Sequence, residues 1–336
     1  MQRRDFLIAG AAAASVLPLR GFAAASAQPF DYAWLKGQAR ALAGRAYVAP
    51  SRELPEALAA LDYDGYQSIR FKPERSLWYG DDLAFRAQFF HRGYRLREAV
   101  RIHEIVNGQA RELAYDAAQY DFAKTGIKGS RLPHDLGYAG FRLQFRTNWA
   151  GEFMVFLGAS YFRAIGGDNR QYGTSARGLA IDVGQDSGEE FPRFTEFWLE
   201  RPAAASAKLV VYALLDSPSV SGAYRFEIAP GNLTVMLCDV ALYPRREIKH
   251  LGLAPLTSMF YTGENDRHGA DWRPEIHDSD GLALWTGGGE WIWRPLVNPP
   301  GTHLNSFLDQ KPHGYGLLQR DRDFDHFLDD AVYYEH

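Results

Sequence analysis

The chain has 336 residues, 46% hydrophobic and 23% charged, a composition that excludes the disordered and fibrous classes and requires a packed core. Its formal net charge is −4, and no concentrated Lys/Arg tract with interleaved aromatics is present, so no nucleic-acid partner is expected. A single cysteine, Cys238, can form no intrachain disulfide, and no Cys/His cluster has the spacing of a structural zinc site.

In chain order, the first element is an address. Arg3 and Arg4 precede Phe6, Leu7 and an Ala/Gly-rich apolar run that ends at Ala25-Ser26-Ala27, the pattern of an export signal cut at a small-residue site. The paired arginines and weak hydrophobicity suit the twin-arginine route. Residues 1–27 are therefore read as signal and 28–336 as one periplasmic domain. No later run of about 18 apolar residues offers a membrane span.

Trp34, Leu35, Ala39, Leu42 and Ala46 recur at helical spacing, and Glu53 to Leu61 suits a second short helix; both are expected to decorate an edge. Beyond about Ser68 the period falls to two. Phe141, Leu143 and Phe145 alternate with Arg142, Gln144 and Arg146, and Tyr224, Phe226 and Ile228 alternate with Arg225 and Glu227, as in half-buried strands. Phe153–Leu157 and Leu209–Leu215 are apolar on both faces, as strands between layers would be. Turn signals at Asn107-Gly108, Gly166-Gly167, Ser217-Pro218, Gly231-Asn232 and Gly287 to Gly289 separate the runs. The expected fold is all-β, a large and mostly antiparallel sandwich with short N-terminal helices. The apolar surroundings of Cys238 make it an expected core residue.

Chemistry concentrates in Glu275 to Leu296, EIHDSDGLALWTGGGEWIWRPL. If Gly289 to Leu296 is a strand, Trp291 and Trp293 project from one face and Glu290 shares the other with Arg294. Indoles suit the apolar faces of sugar rings and charged neighbours suit the hydroxyls; paired core tryptophans are the alternative. Glu275, Asp278 and Asp280 bracket His277, and clustered carboxylates can supply an acid and a base at one pH; an Asx-turn at Asp278 is the alternative. No second histidine stands at a ligand spacing, so neither a metal nor another cofactor is expected. Asp321, Asp323, Asp325, Asp329 and Asp330 mix with Arg320 and Arg322 as a mutually paired surface, beside Tyr333 and Tyr334.

Nine runs in one order closely resemble the periplasmic glucan biosynthesis proteins G and D. They are YDGYQSIRFKPERSLW from Tyr63, FLGASYFRAIG from Phe156, SARGLAID from Ser175, EFPRFTEFWLERP from Glu190, YALLDSPSVSGAYRF from Tyr212, LAPLTSMF from Leu253, RPEIHDSDGL from Arg273, GEWIWRPL from Gly289 and GLLQRDRDF from Gly316. The twin-arginine leader is similar to the D branch. The resemblance implies a galactose-mutarotase-like β-sandwich with a glycan cleft, followed in family members by a small immunoglobulin-like domain. It also implies action on β-1,2-linked glucan as an inverting glucanase or transglycosylase. In that pattern Asp278 is the general base acting through water, and Tyr334 lies on the water and proton path. Trp291, Trp293, Glu290, Arg294, His277 and Asp280 are the expected sugar contacts. The sequence stops before the segment that carries the family's general acid, which makes a fragment the expected reading, with Asp323 or Asp329 as substitute acid or loss of catalysis as alternatives. A non-catalytic glycan-binding role beside an inner-membrane glucan synthase is the competing function.

Overall fold

The computed structural model of the protein describes residues 27–122, 124–166, 173–267 and 272–327, with the side chain of Phe324 left aside. In chain order the sandwich strands are β1 (Gln28–Pro29), β2 (Phe85–His91), β3 (Arg101–Val106), β4 (Gln109–Glu112), β5 (Tyr138–Phe145), β6 (Met154–Leu157), β7 (Tyr161–Ala164), β8 (Ser175–Arg177), β9 (Arg193–Glu200), β10 (Leu209–Asp216), β11 (Val220–Ala229), β12 (Val235–Pro244) and β13 (Leu256–Thr257). Among the described residues they form a seven-stranded sheet in the order β1-β4-β3-β9-β10-β11-β12 and a six-stranded sheet in the order β13-β8-β7-β6-β5-β2. The pairings are antiparallel apart from β9 on β3. The fold is thus all-β and sandwich-like, as the two-residue periodicity requires.

The core lies where the alternation puts it. Phe141 and Leu143 from β5, Phe156 from β6, Phe197 and Leu199 from β9, and Phe226 and Ile228 from β11 are nearly or wholly excluded from solvent. The two sheets interlock through rings: Phe141 meets Phe197 with centroids 5.0 Å apart, and Phe156 meets Phe226 at 5.3 Å. Offset and edge contacts of this kind add about 0.5–1.5 kcal/mol per pair to the burial itself.

The N-terminal helix is more than an edge decoration. Helix α1 (Tyr32–Ala43) starts at Asp31, whose side chain accepts from the Trp34 N–H. Its buried face, Leu35 and Ala39, joins Phe30, Trp198, Tyr212, Leu214 and Ala223 in a second core on the outer side of the seven-stranded sheet. Ser221 donates to the Ala39 carbonyl and the Tyr32 hydroxyl to that of Ala223. The edge reading failed because local periodicity shows that a helix has an apolar face without showing what that face covers. Further on, the helix expected over Glu53 to Leu61 is a single short turn, α2 (Glu56–Ala59), and another short helix, α3 (Tyr63–Gln67), follows beyond it.

Cys238 also departs from expectation, for it is exposed. It lies on β12, opposite Phe226 in register, and so points to the core side of the sheet. β12 is the end strand of its sheet, and most of its residues are exposed.

After β13 the chain leaves the sandwich. A hairpin of β14 (Phe260–Thr262) and β15 (Ile276–His277) leads into a three-stranded sheet of β16 (Gly281–Trp285), β17 (Trp291–Pro295) and β18 (Gly314–Leu318), with β16 in the centre. The Tyr315 hydroxyl on β18 donates to the carbonyls of Leu253 and Ala254, both at 2.8 Å, which ties the small sheet to the segment entering β13.

Candidate functional site

The HDS loop connects hairpin to sheet, and most of its polar side-chain atoms are held by hydrogen bonds, while the buried His277 Nδ1 has no partner among the described residues. His277 pairs with Phe260 across the hairpin. The Asp278 N–H then donates to the Met259 carbonyl at 2.7 Å, and Asp278 Oδ2 accepts from the Met259 N–H at 2.9 Å. One carboxylate oxygen is thereby anchored to backbone that lies 19 residues away in sequence. Oδ1 has no hydrogen-bond partner among the described residues, and the residue is half-buried. This is neither a sealed interior position nor the Asx-turn the local sequence allowed, because the bond crosses the hairpin instead of closing on the residues that follow.

Its neighbours turn inward. His277 and Asp280, read from the sequence as sugar contacts, are buried, as is Glu275. His277 Nε2 donates to Glu275 Oε2 at 2.7 Å and lies 3.3 Å from Asp280 Oδ1; since carboxylates only accept, the proton is assigned to Nε2. The imidazole is stacked on Phe260 at 5.6 Å and meets the edge of Phe327 at 5.3 Å. Asp280 Oδ2 accepts from the Arg320 N–H, its own N–H donates to the Leu318 carbonyl, and its carbonyl accepts from Leu296. The one residue therefore pins the ends of β17 and β18 to the loop. Ser279 and Ser258 share a hydroxyl hydrogen bond of 2.6 Å. Bonds to a carboxylate, such as those accepted by Glu275 and Asp280, each contribute about 1.5–3 kcal/mol, and losing one partner leaves the other desolvated and unpaired.

Glu275, His277 and Asp280 present ligand atoms within 4.8 Å of one another, the one such trio among the described residues. The geometry fits a proton better than a metal. Two ligands of a tetrahedral zinc at about 2.0–2.1 Å stand about 3.3 Å apart, whereas the His277–Glu275 contact is 2.7 Å, a hydrogen-bond length.

The small sheet carries the aromatic surface. Trp285 and Trp291 are register partners, and their rings are stacked at 5.2 Å with planes 9° apart. Trp291 is 66% exposed and Trp285 39%. His313 packs on Trp285 at 4.6 Å. Trp293, two residues along β17 and on the same face, is half-buried. Its indole lies over Gly281, where an added Cβ would come within 2.5 Å of the ring and 2.7 Å of the Arg294 carbonyl oxygen. Only glycine admits that approach, and it brings the aromatic face to within three residues of Asp278. On β18 the matching positions are Gly314 and Gly316, so the floor beside the indoles is flat.

Glu290 stands exposed at the hairpin mouth, its backbone paired with Thr286. Arg294 is exposed with its guanidinium 5.3 Å from the Phe307 ring. Tyr334, the expected residue of the water path, and Asp329 lie outside the described residues. Asp323 is exposed, accepting the Asp325 N–H. Beside it Asp321 accepts from His326 at 2.7 Å; the Asp323 N–H and His326 hold its carboxyl below the usual range, and Asp321 in turn raises His326. Sequence reasoning missed Trp285 and His313. The signal was there for Trp285, since pairing across the Gly287 to Gly289 turn sets it opposite Trp291.

Comparison with known proteins then bears on what this site serves. Residues 30–336 match the family described as "Periplasmic glucan biosynthesis protein, MdoG". The chain is 55% identical over 349 residues to a protein named Glucans biosynthesis protein D from Xanthomonas campestris pv. campestris (strain B100), with 100% of this chain and 65% of the relative covered. Proteins of the same name from Xanthomonas axonopodis pv. citri (strain 306) and Stenotrophomonas maltophilia (strain R551-3) are 54% and 53% identical, with the same coverage. The chain thus spans about 65% of the length of these relatives.

Proposed function

The chain belongs to the periplasmic glucan biosynthesis protein family, and from that premise we propose that it takes part in making periplasmic glucan by gripping and cutting or re-forming a β-1,2-linked glucose backbone. In this reading the glucan lies across the tryptophan face of the small sheet and passes the HDS loop. Asp278 is the general base: Met259 holds one oxygen still while the other draws a proton from the attacking water. Trp291, Trp293 and Trp285 take the sugar faces, with Glu290 and Arg294 at the rim for hydroxyls. His277 and Asp280 act on the sugar through the placement they give Asp278. An inverting reaction needs an acid about 6.5–9.5 Å from the base, or farther through a water relay, and Tyr334 belongs to that water path. The twin-arginine leader would deliver the protein to the periplasm, with cleavage near Ala27.

The observation that carries this reading is the half-buried Asp278 carboxylate, fixed at one oxygen and without a partner at the other among the described residues, at the end of an exposed aromatic sheet. Asp278→Asn, introduced into the protein at the full length of its relatives, tests it. Release of short glucans from β-1,2-glucan is expected to fall by about 10³-fold or more while binding by calorimetry persists. Unchanged turnover removes Asp278 from the mechanism. Binding without turnover in the unaltered protein favours the non-catalytic role beside a membrane synthase.

A further inference from the structure

Away from the HDS loop, a hollow of about 170 Å³ opens at one end of the sandwich between the approach to β3, the β6–β7 turn and the start of β9. Its charged lining is four arginines, Arg52, Arg95, Arg97 and Arg193, against one carboxylate, Glu98; Gly158 and Ala159 form part of the wall. In a chain of net charge −4 such a concentration runs against the average. Like charges brought together cost free energy unless something of opposite sign sits among them.

The arginines are held in place by structure the hollow does not otherwise need. Arg92 is buried, and its guanidinium is spent wholly on backbone carbonyls: those of Leu136, Glu53 and Arg97. It therefore fastens the residue after Arg52 to the same point as Arg97. On the third side the Phe194 N–H donates to the Ala159 carbonyl, which fixes the neighbour of Arg193 against the turn.

Local anions do not balance the cluster. Glu98 is shared between Arg52, at 3.6 Å, and Arg193. Arg97 reaches the Tyr94 carbonyl and Arg95 lies over the Tyr94 ring; neither meets a carboxylate among the described residues. Two further acidic groups, Asp216, the register partner of Arg193, and Glu190, are engaged by Arg245 and Arg246. Burial and the nearby Arg52 charge hold the Arg193 guanidinium below its usual range despite Glu98.

We infer that this hollow is a binding site for a tetrahedral oxyanion of the phosphate type, held by Arg52, Arg95, Arg97 and Arg193. The volume is below the roughly 300 Å³ at which sites for drug-sized molecules begin, so it takes a small charged group and not an oligosaccharide. A planar carboxylate is satisfied by one forked guanidinium. Guanidiniums arriving from three separate segments suit an anion with oxygens on several sides. The site is independent of the glucan reading.

The test is calorimetric titration of the chain with inorganic phosphate at constant ionic strength, chloride making up the balance. Saturable binding at one site is expected. Arg97→Gln should weaken it about tenfold, and Arg95→Gln should weaken it by a smaller factor. Because Arg95 is exposed and its one side-chain interaction among the described residues is with the Tyr94 ring, that variant folds whatever Arg97→Gln does. Glu98→Gln should tighten binding, since it removes the competing carboxylate. Methyl phosphate and dimethyl phosphate serve as second and third probes. Preference for inorganic phosphate or the monoester identifies a free phosphate or terminal ester, and equal binding of the diester identifies an in-chain phosphodiester; either upholds the site. No saturable binding, identical affinity in the arginine variants, or acetate binding as tightly as phosphate overturns it.

Discussion

The sandwich and the small C-terminal sheet use the same residue types in opposite ways. Between the large sheets the rings are inside and the charges outside: Phe156 and Phe141 are fully buried while Arg225 and Glu227 face out from β11. Around β16 the order is inverted, with Glu275, His277 and Asp280 buried and Trp291 and Trp285 in the open. Burying polar groups costs free energy that only hydrogen bonding offsets, so a loop that buries three ionisable side chains within six residues, beside exposed indoles, departs from the partition seen between the large sheets. Departures of that kind cluster at functional sites. The difference separates aromatics that hold the fold from aromatics available to a ligand.

The comparison breaks most easily at its interior end. Phe156→Ala removes a ring packed against Phe141, Phe162, Phe197 and Phe226 and is expected to cost about 3–5 kcal/mol, read as a shift in the midpoint of chemical denaturation.

A smaller effect comes from pH. His91 is buried on β2, with Nδ1 donating to the Arg92 carbonyl and Nε2 accepting from the Tyr115 hydroxyl. Burial holds its pKa down at about 4, so from about pH 6.5 downward the unfolded chain takes up the proton first. Its contribution is complete above about pH 6.5 and is lost as pH falls through 4, an effect on the order of 3 kcal/mol. The melting temperature should drop over that window, and His91→Gln should flatten the drop. An equal slope in both proteins would remove His91 as its source.

The smallest effect lies at the exposed end. Trp291→Ala is expected to change stability by no more than about 1 kcal/mol while lowering affinity for β-1,2-glucan about tenfold, measured by calorimetry. A loss of stability matching that of Phe156→Ala would place Trp291 with the packing aromatics and erase the contrast.

Much of this was legible in the residues. Alternation at Phe141 to Phe145 and Tyr224 to Ile228 specified half-buried strands because side-chain direction in a strand has period two whatever surrounds it. The same rule set Trp291 and Trp293 on one face before any partner strand was known. Less was legible where a residue's setting depends on chain far away in sequence. Asp278 was read as either an Asx-turn or a base, since its anchor, the Met259 N–H, belongs to the other arm of a hairpin whose length no local pattern reveals. Cys238 sits in an apolar run and was expected inside; its exposure goes with the place of β12 at the end of its sheet, which only the strand order reveals.

What the sequence determined by itself was the class of fold, the alternation of its strands and the composition of the loop at Glu275 to Asp280, all of which follow from short-range stereochemistry and the partition of side chains between water and core. Only the tertiary structure decided which carboxylates face one another, which oxygen of Asp278 is anchored, which tryptophan stacks on Trp291 and which arginines share a hollow. Those relations join residues brought together by sheet order and register, and they are fixed by the packing of the whole chain at once.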